Sequence, residues 1–351
     1  MTVVDSERLD ENFWVWYGRA TAGSLDVVRK LFQDEGESRT TDLLRWQYLE
    51  HLGGSYVAIA HTEEGIQDGA AALYAGLPNL VQVGNERILA VQSFDSITAN
   101  RFRGKGLFSR LGKYTYKKLT EQGVALVYGI PNANINNARI TQLGWRSLDP
   151  LPFLIKPFGL RYLRVRSRLR TPRVSTSSGA AFSGSIRQIP RCPEDISELS
   201  SRSDLVNRVG VRRDYDYLAW RLARPGSSYR HFEFRSTSGS LLGYAVYELV
   251  IKHGCSVGYF MELITDVQHP GSANELAQAV LEDMRLRGAD VCLAWWMESS
   301  HAASVLHRHG FYQLPERFRP IELHLGYRFL VGGRELSRDS FAFSYLDSDT
   351  V

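Results

Sequence analysis

Residues 101–106, Arg-Phe-Arg-Gly-Lys-Gly, set three basic side chains and two glycines directly before a segment patterned as a helix over 107–122. Glycine accepts φ > 0 and lets backbone approach a ligand closely. Successive N–H groups in such a turn form a concave anion site, and a helix N-terminus right behind it adds unpaired N–H groups and a favourable dipole. These residues suit a phosphate or diphosphate gripped mainly by main chain, with charge from Arg101, Arg103 and Lys105; the competing reading is a solvated basic turn. A P-loop is excluded, because the four-residue spacer and the Gly-Lys-Ser/Thr ending are absent. A dinucleotide-binding turn is a poor match, lacking the glycine triplet and the acidic residue about 20 positions on.

A candidate acid–base group stands just upstream. Asp95 lies three residues before Thr98 on a strand patterned over 87–97. Burial beside a ligand raises a carboxyl towards the range useful for a general base, whereas pairing with a neighbouring arginine would make it structural. The two-residue strand period puts Ser93 on the face of Asp95 and Gln92 on the other. Other features carry less. Trp295-Trp296-Met297 ends a strand and reads as core aromatics, with stacking on a sugar or acyl chain as the alternative. His301, His307 and His309 lack an acidic partner at metal spacing and read as solvated, so no metal is expected. The run 161–170, Arg-Tyr-Leu-Arg-Val-Arg-Ser-Arg-Leu-Arg, reads as solvated but also suits an anionic membrane surface or an acidic carrier protein, as do the arginines up to 173.

The elements that must position these residues follow from glycines and apolar periods. Strands are predicted at 55–61, 69–76 and 87–97, then the glycine loop, the helix 107–122 closed by Gly123, a buried strand at 125–132, a helix at 132–145 closed by Gly144 and a last strand at 152–157. Residues 200–327 repeat this grammar more faintly: 216–222 echoes 42–49, with Trp46 and Trp220 174 positions apart, and Gly144 and Gly310 are separated by a similar interval. A tandem duplication is the expectation, of mixed α/β class, with an N-terminal domain over 1–166, a Ser/Gly/Arg-rich linker over 167–186 and a C-terminal domain over 187–351. Ser272 and Glu275 fit a capping box where the first half has its glycine loop, so the second copy is expected to keep the fold without the phosphate cradle.

Length and composition agree with a folded two-domain protein: 351 residues, 44% hydrophobic and 23% charged, with no apolar run of the roughly 18 residues a membrane span needs. The start of the chain has acids where a signal peptide carries its basic region. Three widely spaced cysteines without a CxxC pair suggest neither a disulfide framework nor zinc, so a cytoplasmic chain with reduced thiols is expected. The formal charge of +4 admits anionic ligands without pointing to nucleic acid.

With these residues in view, the chain resembles the GNAT acetyltransferase superfamily, whose signature, Gln/Arg-x-x-Gly-x-Gly/Ala between the fourth strand and the next helix, is filled by Arg101, Gly104 and Gly106. The likeness extends to 127–145, which resembles a subgroup with Pro-Asn after the fifth strand and Gly-Trp after the following helix. It covers roughly 15–157 well and the second half as a degenerate copy. The resemblance implies acetyl-CoA or another acyl-CoA as co-substrate, its diphosphate on the amides around Arg103, Gly104, Lys105, Gly106, Leu107 and Phe108, and its pantetheine between splayed strands near Ile97, with Asn132, Asn134 or Asn136 as hydrogen-bond partners. Asp95 is then the candidate base, with Ser93 beside it. Where the superfamily often has a tyrosine acid this chain has Ile140, which leaves Tyr128, a water or no dedicated acid. The implied reaction is N-acylation of a small-molecule amine, such as an amino sugar. Two rivals stay open: a donor on aminoacyl-tRNA or acyl-carrier protein, and a non-catalytic acyl-CoA sensor.

Overall fold

The computed structural model describes residues 6–51, 53–131, 133–159, 184–319 and 323–348, with backbone alone at 133 and 134. The chain opens with β1 (Ser6–Arg8), β2 (Trp14–Arg19), α1 (Ala22–Asp34) and α2 (Thr41–Tyr48). Thr21 and Ser24 form a capping box at α1, and Thr40 accepts from the Leu43 N–H at α2, so each helix starts where a hydroxyl can satisfy an orphan N–H. β3 (Tyr56–His61), β4 (Ala70–Val83) and β5 (Glu86–Thr98) make an antiparallel meander. α3 (Leu107–Glu121) returns the chain to β6 (Leu126–Gly129), parallel to β5. α4 (Ala133–Leu143), β7 (Arg146–Pro150) and β8 (Leu154–Pro157) follow.

The second half is β9 (Gly184–Ile189), α5 (Ile196–Ser201), β10 (Gly210–Val211), α6 (Tyr215–Arg221), β11 (Arg230–Ser236), β12 (Leu241–Lys252), β13 (Cys255–Thr265), α7 (Pro270–Leu286), β14 (Val291–Ala294), α8 (His301–Arg308), β15 (Tyr312–Gln313) and β16 (His324–Phe329). One sheet has the order β1-β2-β3-β4-β5-β6-β16-β7, with β10 on β4; the other runs β15-β8-β14-β13-β12-β11-β9. The two cores are copies of one plan: three antiparallel strands, then a parallel neighbour reached through a helix. Each copy lends a strand to the other. β16 of the second half pairs between β6 and β7, and β8 of the first half pairs between β14 and β15.

The helices α2 and α6, one from each half, meet through a tryptophan pair. The indoles of Trp46 and Trp220 stack at 4.8 Å and exchange hydrogen bonds, each Nε1–H donating to the other's backbone carbonyl at 2.8 and 3.0 Å. With Trp46 buried, Trp220 partly buried and both N–H groups satisfied, the pair joins the copies without leaving an orphan donor.

Several sequence expectations are corrected. The strand at 152–157 exists but belongs to the second sheet, and β7 and the extension of β4 to Val83 were not expected. Ser272 does not cap α7: the helix begins earlier, with His269 as N-cap and Pro270 at its first position, and the Ser272 hydroxyl donates to His269 O inside the first turn. Pro270 has no N–H to satisfy there, which is why an earlier start is favoured. Of the expected linker, residues 184–186 begin β9, and 167–183, like the whole of the basic run 161–173, lie outside the described residues. Trp295 and Trp296 are core residues, buried against Tyr345 and Phe260.

Candidate active site

β5 and β6 pair only from Ala90 with Leu126 to Gln92 with Tyr128. Beyond that register the strands part, and alternate main-chain groups of β5 on this side lose their ladder partner. The gap is a cleft of about 210 Å³ walled by Gln92 to Ile97, by Ile130 and Pro131, by Phe32 of α1, by Glu37 and Arg39 from the segment joining α1 to α2, and by Ile135 and Arg139 of α4. β5 is also bulged: Ser93 is opposite Gly76 and Asp95 opposite Ala75, so Phe94 is an extra residue. The bulge breaks the expected alternation, and Ser93 and Asp95 reach different helical segments. Gly76 is needed opposite it, because a Cβ there would meet Val91 Cγ1 at 2.3 Å.

The glycine loop opens at the same end of β5. Residues 100–102 form one 3₁₀ turn, Gly104 and Gly106 have φ of +77° and +71°, and Gly106 is the N-cap of α3, with no side chain capping it. A Cβ on Gly104 would meet nothing within 4 Å, so the glycine serves the backbone angle and the space beside it is open. Arg103 pairs with Glu35 at 2.6 Å and donates from Nε to Thr98 O at 3.2 Å, and the Asn100 N–H donates to the other Glu35 oxygen at 2.7 Å. Glu35, 7% exposed at its side chain, thereby ties the loop to α1. Phe102 sits beneath Arg101 and Lys105, 4.8 and 5.5 Å from its ring centre. Leu107 is core and Phe108 packs at its edge; both contribute backbone to the first turn of α3, where N–H groups have no intrahelical acceptor.

Inside the cleft Asp95 is buried, and Oδ2 accepts from Arg39 Nη1 and from the Tyr48 hydroxyl, each at 2.7 Å. Its partner is an arginine 56 residues upstream, not one of the loop's own. Burial opposes the charge of Arg39, but Asp95, Tyr48 and Glu37 outweigh it and hold the guanidinium above its usual range. Glu37 adds a looser contact at 3.3 Å. On the α4 side, Arg139 is 3% exposed; Nη2 donates to Ser93 Oγ at 2.8 Å, and the guanidinium lies over Trp145, 4.5 Å from the ring centre. Among the described residues its Nε and Nη1 have no hydrogen-bond partner.

Asp95, Ser93 and Ile97 therefore line the cleft and the nest 101–108 lies beside it, while two other expected residues stand elsewhere. Tyr128 faces an apolar recess with Val81 and Phe343; its hydroxyl accepts from Asn79 Nδ2 at 2.8 Å, and burial, with Tyr217 and Asp347 nearby, pushes the phenol well above its usual range. The buried amide of Asn136 donates to Ser147 Oγ at 2.8 Å. Asn132 and the side chain of Asn134 lie outside the described residues. Among the described residues the cleft walls include no tyrosine, cysteine or histidine. Arg39, Glu37 and Arg139 were not foreseen. For Arg139 a signal existed, since it occupies the stripe of Asn136 and Leu143 at helical spacing, where an apolar residue is the rule.

No family model matches the sequence, and no curated protein is similar to it at the level of sequence. Solved structures are similar. A protein of Enterococcus faecalis described as a probable N-acyltransferase superposes with a TM-score of 0.64 at 14% identity, over 91% of this chain and 73% of that one. A GCN5-related N-acetyltransferase from Anabaena variabilis gives 0.62 at 12%, over 90% and 73%. Saccharomyces cerevisiae N-myristoyltransferase with bound myristoyl-CoA gives 0.60 at 11%, over 97% and 84%.

Proposed function

We propose, from a tandem GNAT fold in which the first copy carries the glycine nest, that this protein is an acyl-CoA-dependent N-acyltransferase. The observation that supports the reading most directly is the junction of three features: parted parallel strands, an αL-glycine turn and an uncapped helix start, all at one end of β5. A long ligand with a diphosphate at one end and a reactive group at the other fits that junction. Its diphosphate would take the amides from Arg103 to Phe108, and its arm would replace β6 as the neighbour of β5.

The reaction on this reading is direct transfer. The acceptor nitrogen attacks the thioester carbon, a C–N bond forms as the C–S bond breaks, and the amine proton leaves to water or solvent-linked carboxylate while the thiolate takes a proton. A β5 N–H facing the gap would polarise the thioester oxygen. Asp95, fixed by Arg39 and Tyr48, would steer the ammonium or orient the water that deprotonates it, with Ser93 beside the reacting atoms. With Tyr128 turned away, water is the proton donor to the thiolate. The donor is acetyl-CoA or a longer acyl-CoA, and the acceptor a small-molecule amine, with amino sugars the class suggested by resemblance.

The test is a calorimetric panel of acyl-CoA thioesters followed by thiol release over a set of amines. Gly104→Val should weaken acetyl-CoA binding at least tenfold, about 1.4 kcal/mol, with the melting transition retained, because the turn holds residue 104 at φ +77°, an angle that glycine takes readily and valine does not. Equal affinity in the variant would remove the nest from the donor site, and turnover confined to carrier-protein or aminoacyl-tRNA donors would transfer the reading to that class.

A further inference from the structure

The cleft holds two cations of different standing. Arg39 spends its charge on Asp95 and Glu37. Arg139 is as buried as a core residue, yet its one hydrogen-bond partner among the described residues is the neutral hydroxyl of Ser93, and no carboxylate pairs with it there. Nε carries one hydrogen and Nη1 two, so among the described residues three N–H bonds of a buried guanidinium lack an acceptor. Buried charge without a partner is costly, and such a group is retained where a partner arrives with the ligand.

Its surroundings hold Arg139 in place rather than let it swing to solvent. Trp145 supports the face of the guanidinium, and the indole is itself fixed by donating to Tyr116 Oη at 2.7 Å, which in turn shares a 2.7 Å bond with Tyr74. Gly129 keeps the corner open: a Cβ there would stand 2.8 Å from Ser93 O and 3.0 Å from Arg139 Nη1. A planar, pre-set guanidinium on one wall matches a carboxylate in either of its two-pronged geometries. The phosphates of the donor have a separate place at the nest, so the anion for Arg139 belongs to the other substrate.

We propose that Arg139 receives a carboxylate of the acceptor, and that the acceptor class is an amine with a carboxylate close to it, such as an amino acid or an amino-sugar acid. This rests on the acyltransferase reading above. Asp95 and Glu37, two carboxylates sharing the single guanidinium of Arg39, leave negative charge for the ammonium on the side of the α1–α2 segment, so the cleft is laid out for a zwitterion.

Matched acceptors test this on the full chain with acetyl-CoA and a thiol-release readout: glycine against glycinamide, β-alanine against β-alaninamide, 2-amino-2-deoxygluconate against glucosamine, and 2-aminoethyl phosphate as a phosphate arm. The acid of each pair should have the lower KM by roughly ten- to a hundredfold. Arg139→Gln should erase that preference, and Arg139→Lys should restore part of it, while acetyl-CoA affinity by calorimetry confirms a folded donor site. The wild-type comparison needs neither variant. Should no amine in the panel turn over, the product side decides: with CoA present, N-acetylglycine should bind and N-acetylglycinamide should not, and equal or absent binding overturns the proposal. A preference for neutral amines, or for the phosphate over every carboxylate, also overturns it and leaves the acyltransferase reading standing. Failure to bind or consume any acyl-CoA removes that reading itself, and the proposal with it.

Discussion

Asp95 shows how far a single carboxylate must be judged by its neighbours. A strand residue near a ligand loop is a reasonable base, and here Arg39 and Tyr48 both donate to the same oxygen, so the carboxyl would act from within a network rather than alone. Asp95→Asn should lower kcat by roughly a hundredfold, and the loss should be smaller in an Arg39→Gln background, because residues in one network do not act additively. Steady-state rates of the two singles and the double check this; a wild-type kcat with only a lowered Tm would make Asp95 structural. The position of Asp95 was legible in the sequence, whereas its partner was not, since nothing local links a polar segment at 37–41 to a strand 56 residues on. The bulge at Phe94 was hidden for the same reason: strand period is read along one chain, and bulges are set by the partner strand.

At the scale of elements, local signals were read well. Glycines at positive φ mark the loop and the ends of α3, α4 and α8, and helical periods place the helices, because both depend on a few adjacent residues. Strand partners are a different matter. The pattern of residues 152–157 says strand, and no pattern says whose sheet it joins; the exchange of β8 and β16 is a property of the finished topology. It carries a consequence for dissection. A fragment 1–166 lacks β16, so β6 loses one neighbour and β7 its pairing partner, next to the wall of the cleft. Such a fragment should show no cooperative melting transition and no acetyl-CoA binding, although it contains the whole glycine loop. Circular dichroism on heating and calorimetry measure both, and a fragment that melts sharply and binds donor would mean that β16 is dispensable.

Across the whole molecule, the copies are joined by more than the exchanged strands. The Trp46–Trp220 pair closes one contact. At another, β10 of the second half pairs with β4 of the first, and Gln92 in the cleft donates to the backbone of Asp347 at 2.8 Å, a residue held within the second half by Arg213 at 2.5 Å. The second copy therefore touches the wall of the first copy's cleft, and among the described residues it shows no glycine nest before its corresponding helix. Its helix α7 starts at Pro270, and Gly271 has no positive φ, so the N–H groups that would hold a diphosphate are missing or spent. The central claim is that one copy binds the donor and the other builds around it. Isothermal titration of the full chain with acetyl-CoA tests this most directly: one donor per chain, lost on Gly104→Val, is the predicted result, and two donors per chain, or one that the substitution does not touch, would contradict it.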